Sequence, residues 1–112
     1  MKTRIDAWLW LAQRISAGLL AITVTIHLAT LIYVANETFS AADVLARTRG
    51  SLAWLAVYGI FVTAAAVHVP IGLRDILIEW TSIRRDGVNV IAWTFACLLA
   101  VLGWRAVWNL FA

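Results

Sequence analysis

The sequence has few charged residues, a single proline and a single cysteine. Charged side chains make up 13% of its 112 residues, where a soluble domain carries about 25%, and hydrophobic residues make up 63%. The lone Cys97 excludes a disulfide-bonded secreted scaffold, and the high apolar content excludes a disordered tail. No dense run of Lys and Arg is present, which argues against nucleic acid as a partner. The composition is that of an integral membrane protein in contact with lipid.

Three apolar stretches are long enough to cross a bilayer as helices, because a hydrocarbon core of about 30 Å requires roughly 20 residues. They cover about residues 8–35, 52–80 and 88–111. The first is too long for a cleaved signal peptide, opens with aromatic residues and has no small-residue cleavage site after it. We therefore expect it to remain in the mature protein, and we interpret residues 1–112 as a single transmembrane domain.

The two connections between these stretches differ in length. In the first, Ser40 followed by Asp43 is typical of a helix start and Gly50 of a helix stop, which predicts a short interfacial helix. The second, TSIRRDG, is short and charged, so the helices on either side of it should be antiparallel neighbours. The predicted fold is an all-α membrane protein with three transmembrane helices, up-down-up, and a short interfacial helix between helices one and two.

The distribution of positive charge predicts the orientation. Most of the basic residues belong to the N-terminal side or to the second connection, namely Lys2, Arg4, Arg14, Arg74, Arg84 and Arg85. The opposite side has only Arg47, Arg49 and Arg105. By the positive-inside rule, the N-terminus and the second connection should face the cytoplasm.

His27 and His68 are the only histidines, and each lies inside an apolar stretch with no carboxylate at the same depth. A histidine in that position is costly unless a partner compensates for its burial. One interpretation is a hydrogen bond between helices or a histidine in a polar cavity. The other is an axial haem ligand, since neutral imidazole is the usual proximal ligand of haem iron. A proton relay is less favoured, because the acidic residues that such chains use are missing from the membrane interior.

The neighbours of the histidines favour the haem interpretation. His68, Gly72 and Asp75 share one helix face, and Gly72 would let a flat macrocycle approach the backbone. On the first helix, Ser16 and His27 belong to a polar stripe that is equally compatible with helix packing.

Depth bears on whether one haem can bind both histidines. At 1.5 Å per residue from the cytoplasmic edge, His27 lies roughly 25 Å deep and His68 roughly 15 Å deep. One iron needs both imidazoles at nearly the same level. The mismatch of about 10 Å favours two haems, each completed by a histidine from another chain. A single intrachain haem is the alternative if the first helix tilts strongly.

Two segments carry a resemblance to a known family. The stretch QRISAG at residues 13–18, followed by His27, and the stretch HVPIGLRDILIE at residues 68–79 resemble the membrane-anchor cytochrome b subunits of succinate dehydrogenase and fumarate reductase. In that family a Q/H-R-x-S/T-G stretch opens the first helix, and an H-x-x-x-G-x-R segment on the second helix includes a haem-ligand histidine. The three-helix layout is also similar.

The resemblance implies a function for the chain within a complex. It implies a non-catalytic electron-transfer subunit that docks a flavoprotein and an iron-sulfur subunit at the cytoplasmic side and exchanges electrons with membrane quinone. The location would be the cytoplasmic (inner) membrane of a prokaryote. His68 and His27 match histidine positions of members with two b haems, whose anchors contain four histidines in total. A second small membrane-anchor subunit would then supply the other two ligands.

The resemblance also assigns residues near the haem propionates and the quinone. Arg14 and Ser16 match the start of the first helix, where family members place such residues. Arg74 follows Gly72 in the motif and is a candidate partner for a propionate. Asp75 stands where many relatives have a second histidine or an asparagine, so contact with a propionate there would depend on Arg74.

The sequence departs from the one-haem members at two positions. Trp10 stands where those members have a quinone-contacting serine, and Gln13 stands where they have a histidine, so a quinone site on the cytoplasmic side is left open. The alternative function is a haem-free structural anchor of a dehydrogenase complex. A small multidrug-type transporter is disfavoured, because none of the six acidic residues lies at mid-span.

Overall fold

The computed structural model describes residues 4–36 and 40–112. Within these ranges the chain forms four helices and no strands: α1 (Arg4–Ala35), α2 (Ala41–Thr48), α3 (Leu52–Trp80) and α4 (Arg85–Phe111). Three of them, α1, α3 and α4, are long and apolar enough to cross a membrane. The predicted fold class, with three candidate spans and a short helix between the first two, is confirmed.

Two of the long helices begin earlier than the apolar stretches that predicted them. The first turn of α1 contains Asp6 and the first turn of α4 contains Asp86. Hydropathy detects only the apolar part of a helix, whereas an acidic side chain in the first turn interacts favourably with the helix dipole. Both helices therefore begin about one turn before their apolar stretches.

The short helix α2 has the predicted ends. The Ser40 hydroxyl accepts a hydrogen bond from the Asp43 backbone N–H at 3.2 Å, and the Asp43 carboxylate accepts one from the Ser40 N–H at 3.1 Å. This reciprocal pair is a capping box. Beyond the helix, Gly50 has a φ of +72°, a left-handed conformation that glycine adopts without steric cost.

Helix α2 is attached to the end of α4. The Gly50 N–H donates to the Phe111 carbonyl at 2.8 Å, and the Thr48 hydroxyl donates to the Leu110 carbonyl at 2.9 Å. Carbonyls in the last turn of a helix have no partner within that helix. The connection between α1 and α3 therefore provides hydrogen-bond donors for the last carbonyls of α4.

Helix α3 packs against both α1 and α4. Two glycines allow α3 and α4 to approach closely: a Cβ at Gly103 would lie 2.5 Å from Val62, and a Cβ at Gly59 would lie 2.8 Å from the Trp104 ring. Only 11% to 17% of the residues in the apolar windows of the three spans are buried. Most of their apolar surface is thus left for lipid or for another protein.

Candidate functional site

His68 and Ser16 meet between α1 and α3. Ser16 is 3% exposed, and its hydroxyl donates a hydrogen bond to the Gln13 carbonyl one turn earlier, at 3.0 Å. The same oxygen lies 3.5 Å from Nδ1 of the half-buried His68. Two residues that the sequence placed on separate helices are thus in contact, at the long end of hydrogen-bonding distance.

His27 has a different environment. Its ring centroid lies 6.1 Å from that of Tyr58, edge to face, and 6.0 Å from that of Phe61. Tyr58 in turn stacks on Trp54. Nδ1 of His27 is buried and has no hydrogen-bond partner among residues 4–36 and 40–112. Two aromatic rings of α3 therefore lie against this imidazole.

The two imidazoles lie at different levels of the α1–α3 interface. His68 is level with Ser16, and eleven residues separate Ser16 from His27, which corresponds to about 16 Å of helical rise. Along α3, the rings beside His27 belong to Tyr58 and Phe61, about 10–15 Å of rise from His68. The structure therefore does not bring the two rings together at one position along the helices.

Arg74 joins the three long helices at the end where α1 begins. Its Nε donates to the Asn89 side-chain oxygen at 2.9 Å, across to α4. Its terminal nitrogens lie 3.6 Å from the Asp6 carboxylate on α1 and 3.7 Å from that of neighbouring Asp75. The Arg74 side chain is only 14% exposed. The residue predicted to bind a propionate is therefore already engaged with partners on this chain.

Gly72 faces the side chain of Gln13. A Cβ at Gly72 would lie 3.5 Å from Gln13 Nε2, an ordinary van der Waals distance. The side-chain amide oxygen of Gln13, Oε1, is buried and has no hydrogen-bond partner within the described residues. An unsatisfied buried amide oxygen is costly, which marks this place as one suited to a further hydrogen-bond donor.

A cavity of about 590 Å³ lies beside these groups, between α1 and the end of α3. Its walls include aromatic, amide and charged side chains, among them Trp10, Gln13, Arg74, Asp75 and Glu79. This volume lies within the range of small-molecule sites, about 300–1,000 Å³. The cavity therefore combines an apolar wall with several hydrogen-bonding and charged groups.

Arg14 stands apart from the other predicted site residues. It is exposed, and its guanidinium lies 5.3 Å from the centre of the Trp10 ring. In the described part of the chain, no hydrogen bond or ion pair connects Arg14 to Ser16 or Arg74. Arg14 is thus free to contact lipid headgroups or another chain.

Several residues of this region were not identified from the sequence. Asn89 was missed although it had a signal, since it is an amide one turn inside an apolar helix. Asp6 gave no signal in the sequence, because an acidic residue near an N-terminus is usually solvated. The ring contacts of Tyr58 and Phe61 with His27 depend on how α1 and α3 pack.

Within the described ranges, no group of three or more His, Cys, Asp or Glu residues is arranged to hold a metal ion.

Comparison with known proteins identifies the family of the chain. The model of the succinate dehydrogenase/fumarate reductase transmembrane subunit family matches residues 1–102. Neither the curated proteins nor the solved structures provide a match. The family match covers the helices that contain His27, His68, Ser16 and Arg74. This multi-pass membrane chain therefore belongs to the succinate dehydrogenase/fumarate reductase transmembrane subunit family.

Proposed function

We propose that this chain is a haem b-binding membrane anchor of a succinate dehydrogenase or fumarate reductase complex and transfers electrons between the iron-sulfur subunit and membrane quinone. The observation that supports it best is the His68 imidazole, half-buried in an apolar helix, with a hydroxyl at Nδ1. Neutral imidazole is the usual axial ligand of haem iron. The family match also supports the proposal, because it identifies the chain as a membrane subunit of a succinate dehydrogenase or fumarate reductase complex, in which a haem ligand would serve electron transfer.

The residues present fit a haem at His68. A metal-binding histidine nearly always has a hydrogen-bond partner at its other ring nitrogen, and His68 has Ser16 there. No described residue forms a hydrogen bond with Nε2 of His68. We propose this nitrogen as the iron ligand.

His27 is the proposed ligand of a second b haem. The different levels of His27 and His68 favour two separate haems over one. Each haem would need its second axial ligand from another chain, and the largely exposed apolar surfaces of the three spans leave room for a second small anchor subunit. The fit is weaker at His27, because its Nδ1 has no hydrogen-bond partner within the described residues.

In electron transfer, the chain itself would bind the haem, shield it from water and set its reduction potential. When bound, haem supplies the one-electron chemistry. His68 would hold the iron, and the apolar helices packed around it would limit the access of water. Ligand identity, burial and nearby charge are the means by which a protein sets such a reduction potential.

The cavity beside Gln13 is the proposed binding site for the quinone ring. Its donors include the Gln13 amide and the Arg74 guanidinium, and quinone oxygens accept hydrogen bonds. Reduction of a quinone to a quinol takes up two electrons and two protons. The carboxyl groups of Asp75 and Glu79 are exposed at this cavity and would carry protons from water to the ring.

The soluble partners are proposed to bind at the same end of the molecule. The N-terminal turn of α1 and the connection between α3 and α4 lie there, and that connection ends at Arg84, next to Arg85 at the start of α4. By the positive-inside rule this end would face the cytoplasm. The inner membrane of a prokaryote is the location that the family resemblance implies. The iron-sulfur subunit would contact this surface and hold the flavoprotein subunit.

A pyridine haemochrome assay with protein quantification on the detergent-purified complex tests the proposal. We expect about two b haems per copy of this chain, one for each histidine level. A value near one would favour a haem at His68 alone. Absence of haem would contradict the proposal and leave the structural anchor as the function.

A further inference from the structure

We propose that Ser16 is the positioning residue of His68: its hydroxyl accepts a hydrogen bond from Nδ1–H and so leaves Nε2 as the nitrogen that binds iron. This inference rests on the proposed haem-binding function and concerns one side chain of the same site. A positioning role is distinct from contact with a propionate or with quinone, the vicinity that the resemblance implied for Ser16.

The direction of the hydrogen bond follows from the partners of the Ser16 hydroxyl. A serine hydroxyl has one hydrogen to donate and two lone pairs with which to accept. The Gln13 carbonyl at 3.0 Å is the nearer acceptor for that hydrogen, and Nδ1 of His68 at 3.5 Å is the more distant one. We therefore assign the hydrogen to the carbonyl, so that a lone pair faces Nδ1 and Nδ1 carries the ring hydrogen. In a neutral imidazole the other nitrogen, Nε2, is then unprotonated and available to a metal.

The surroundings of Ser16 make this arrangement effective. Ser16 is 3% exposed, so water does not compete for its hydroxyl. Its bond to Gln13 lies within one turn of α1 and orients the oxygen toward α3. The hydroxyl thus connects the backbone of one helix to the ring of another, which restricts rotation of the imidazole.

Two other residues of α1 can be compared with the pair of Ser16 and His68. Thr23 is also buried, at 5% exposure, and its hydroxyl donates to the Leu19 carbonyl at 2.9 Å, but it forms no hydrogen bond with a histidine. His27 is also within the membrane, but its Nδ1 has no partner among the residues described. Only the pair of Ser16 and His68 combines a buried hydroxyl with a ring nitrogen in this part of the chain.

A hydrogen bond from Nδ1–H raises the basicity of Nε2 and so favours the ferric over the ferrous state. Removal of the hydroxyl should therefore raise the midpoint potential of the haem bound at His68. A hydrogen bond of ordinary strength changes the ferric–ferrous equilibrium constant by up to about tenfold, which equals up to about 59 mV for a one-electron couple.

The experiment compares Ser16→Ala with Thr23→Val in the purified complex. Each substitution removes one buried hydroxyl from α1 and changes the side-chain volume little. The measurements are haem content, the midpoint potential of each b component from a spectroscopic redox titration, and the low-spin g values from electron paramagnetic resonance. We expect S16A to raise one midpoint potential by tens of millivolts and to alter one set of g values. T23V should match the wild type in both.

Ser16→Thr and Ser16→Cys keep the inference testable if S16A fails to assemble. Thr retains the hydroxyl and should restore wild-type potential and g values. The Cys thiol is a weaker acceptor and should give an intermediate shift. Selective loss of one b component in S16A, but not in T23V, would also support the proposal, because loss of such a partner weakens metal binding by about 10–100-fold.

Two results would overturn the inference. Wild-type potentials and g values in S16A would show that the hydroxyl does not tune the ligand, and equal shifts in S16A and T23V would indicate a general packing effect. In both cases haem is present in the wild-type complex, so the proposed function stands. A wild-type complex without haem would overturn the proposed function and this inference together.

Discussion

At the scale of single residues, the two histidines are similar in sequence context but not in structural context. Both lie in apolar stretches, yet His68 has the Ser16 hydroxyl at Nδ1, whereas His27 lies among aromatic rings with Nδ1 unsatisfied by any described residue. A buried polar atom without a partner lowers stability by about 1–3 kcal/mol. His68 is therefore the better prepared of the two proposed ligands, and His27 would depend more on what another subunit provides.

We expect His68→Ala and His27→Ala to remove different b-type components from the reduced-minus-oxidised spectrum of the complex. The physical reason is the separation of the two imidazoles along the helices, about 16 Å by helical rise from Ser16 to His27. Redox titration followed at the haem absorption bands distinguishes the two components. Loss of the same component in both variants would instead favour one shared haem. An unchanged spectrum in H68A would show that His68 is not a haem ligand.

We expect Arg74→Ala to destabilise the chain by about 2–4 kcal/mol, because it removes a largely buried cation and leaves Asn89 and Asp6 without that partner. Arg14→Ala is the matched control: it deletes an exposed arginine whose observed contact is a cation–π interaction with Trp10, worth about 0.5–1 kcal/mol. Thermal unfolding of the detergent-solubilised complex measures both. Equal effects would show that the ion pairs of Arg74 contribute nothing specific.

At the scale of helices, close packing of α3 on α4 depends on positions without a side chain. Val62 lies where a Cβ of Gly103 would project, and valine in a helix has essentially one preferred rotamer, so it has little freedom to move aside. Trp104 similarly lies against Gly59. Close approach strengthens van der Waals packing, which is a main source of helix association where lipid surrounds the helices.

We expect Gly103→Ala to weaken the α3–α4 contact by about 1–3 kcal/mol, the usual cost of overpacking. Gly18→Ala is the control on α1, since nothing lies within 4 Å of a Cβ there. It should be neutral or stabilising by up to about 1 kcal/mol, because alanine favours the helix more than glycine does. Thermal unfolding in detergent compares the two, and a stable G103A would show that α3 and α4 separate at little cost.

At the scale of the whole molecule, the two ends are built differently. One end is joined by Arg74, which connects α1, α3 and α4 through carboxylate and amide partners. The other is joined by α2, whose end donates hydrogen bonds to the last carbonyls of α4. The molecule extends 53 Å along its longest axis, enough to cross a bilayer of about 40–45 Å including the headgroup regions.

The proposed orientation can be tested by cysteine labelling, because Cys97 is the sole cysteine. In a C97A background, R84C places a thiol in the connection before α4, and R49C places one at the end of α2. We expect a membrane-impermeant maleimide to label R49C in right-side-out vesicles and R84C only in inverted vesicles stripped of the soluble subunits, since the excess of positive charge favours a cytoplasmic location of residue 84. The reverse pattern would contradict this topology.

Much of the architecture was predictable from local signals. The three apolar stretches predicted the long helices because length and hydropathy are properties of contiguous sequence. Ser40, Asp43 and Gly50 predicted the bounds of α2, because caps and stops act within a few residues. The first turns of α1 and α4 were missed, because interfacial residues lack the apolar character that marks a span.

The candidate site was predictable only in its parts. His68 and Ser16 were singled out separately, on two helices, and the sequence assigned no contact between them. Gly72 was predicted to leave space for a macrocycle, whereas the structure has the Gln13 side chain beside it. Arg74 was predicted to bind a propionate, and it is engaged by Asp6, Asp75 and Asn89.

The sequence by itself determined that this protein has three helices long and apolar enough to cross a membrane, how its connecting helix begins and ends, and which family it resembles. Those features depend on hydropathy, backbone capping and motif spacing, all of which act over short distances along the chain. Tertiary structure alone decided that Ser16 lies at Nδ1 of His68 and that His27 lies against Tyr58 and Phe61. The rotation and vertical offset of α1 against α3 determine these contacts, and both depend on how the side chains of the two helices interdigitate.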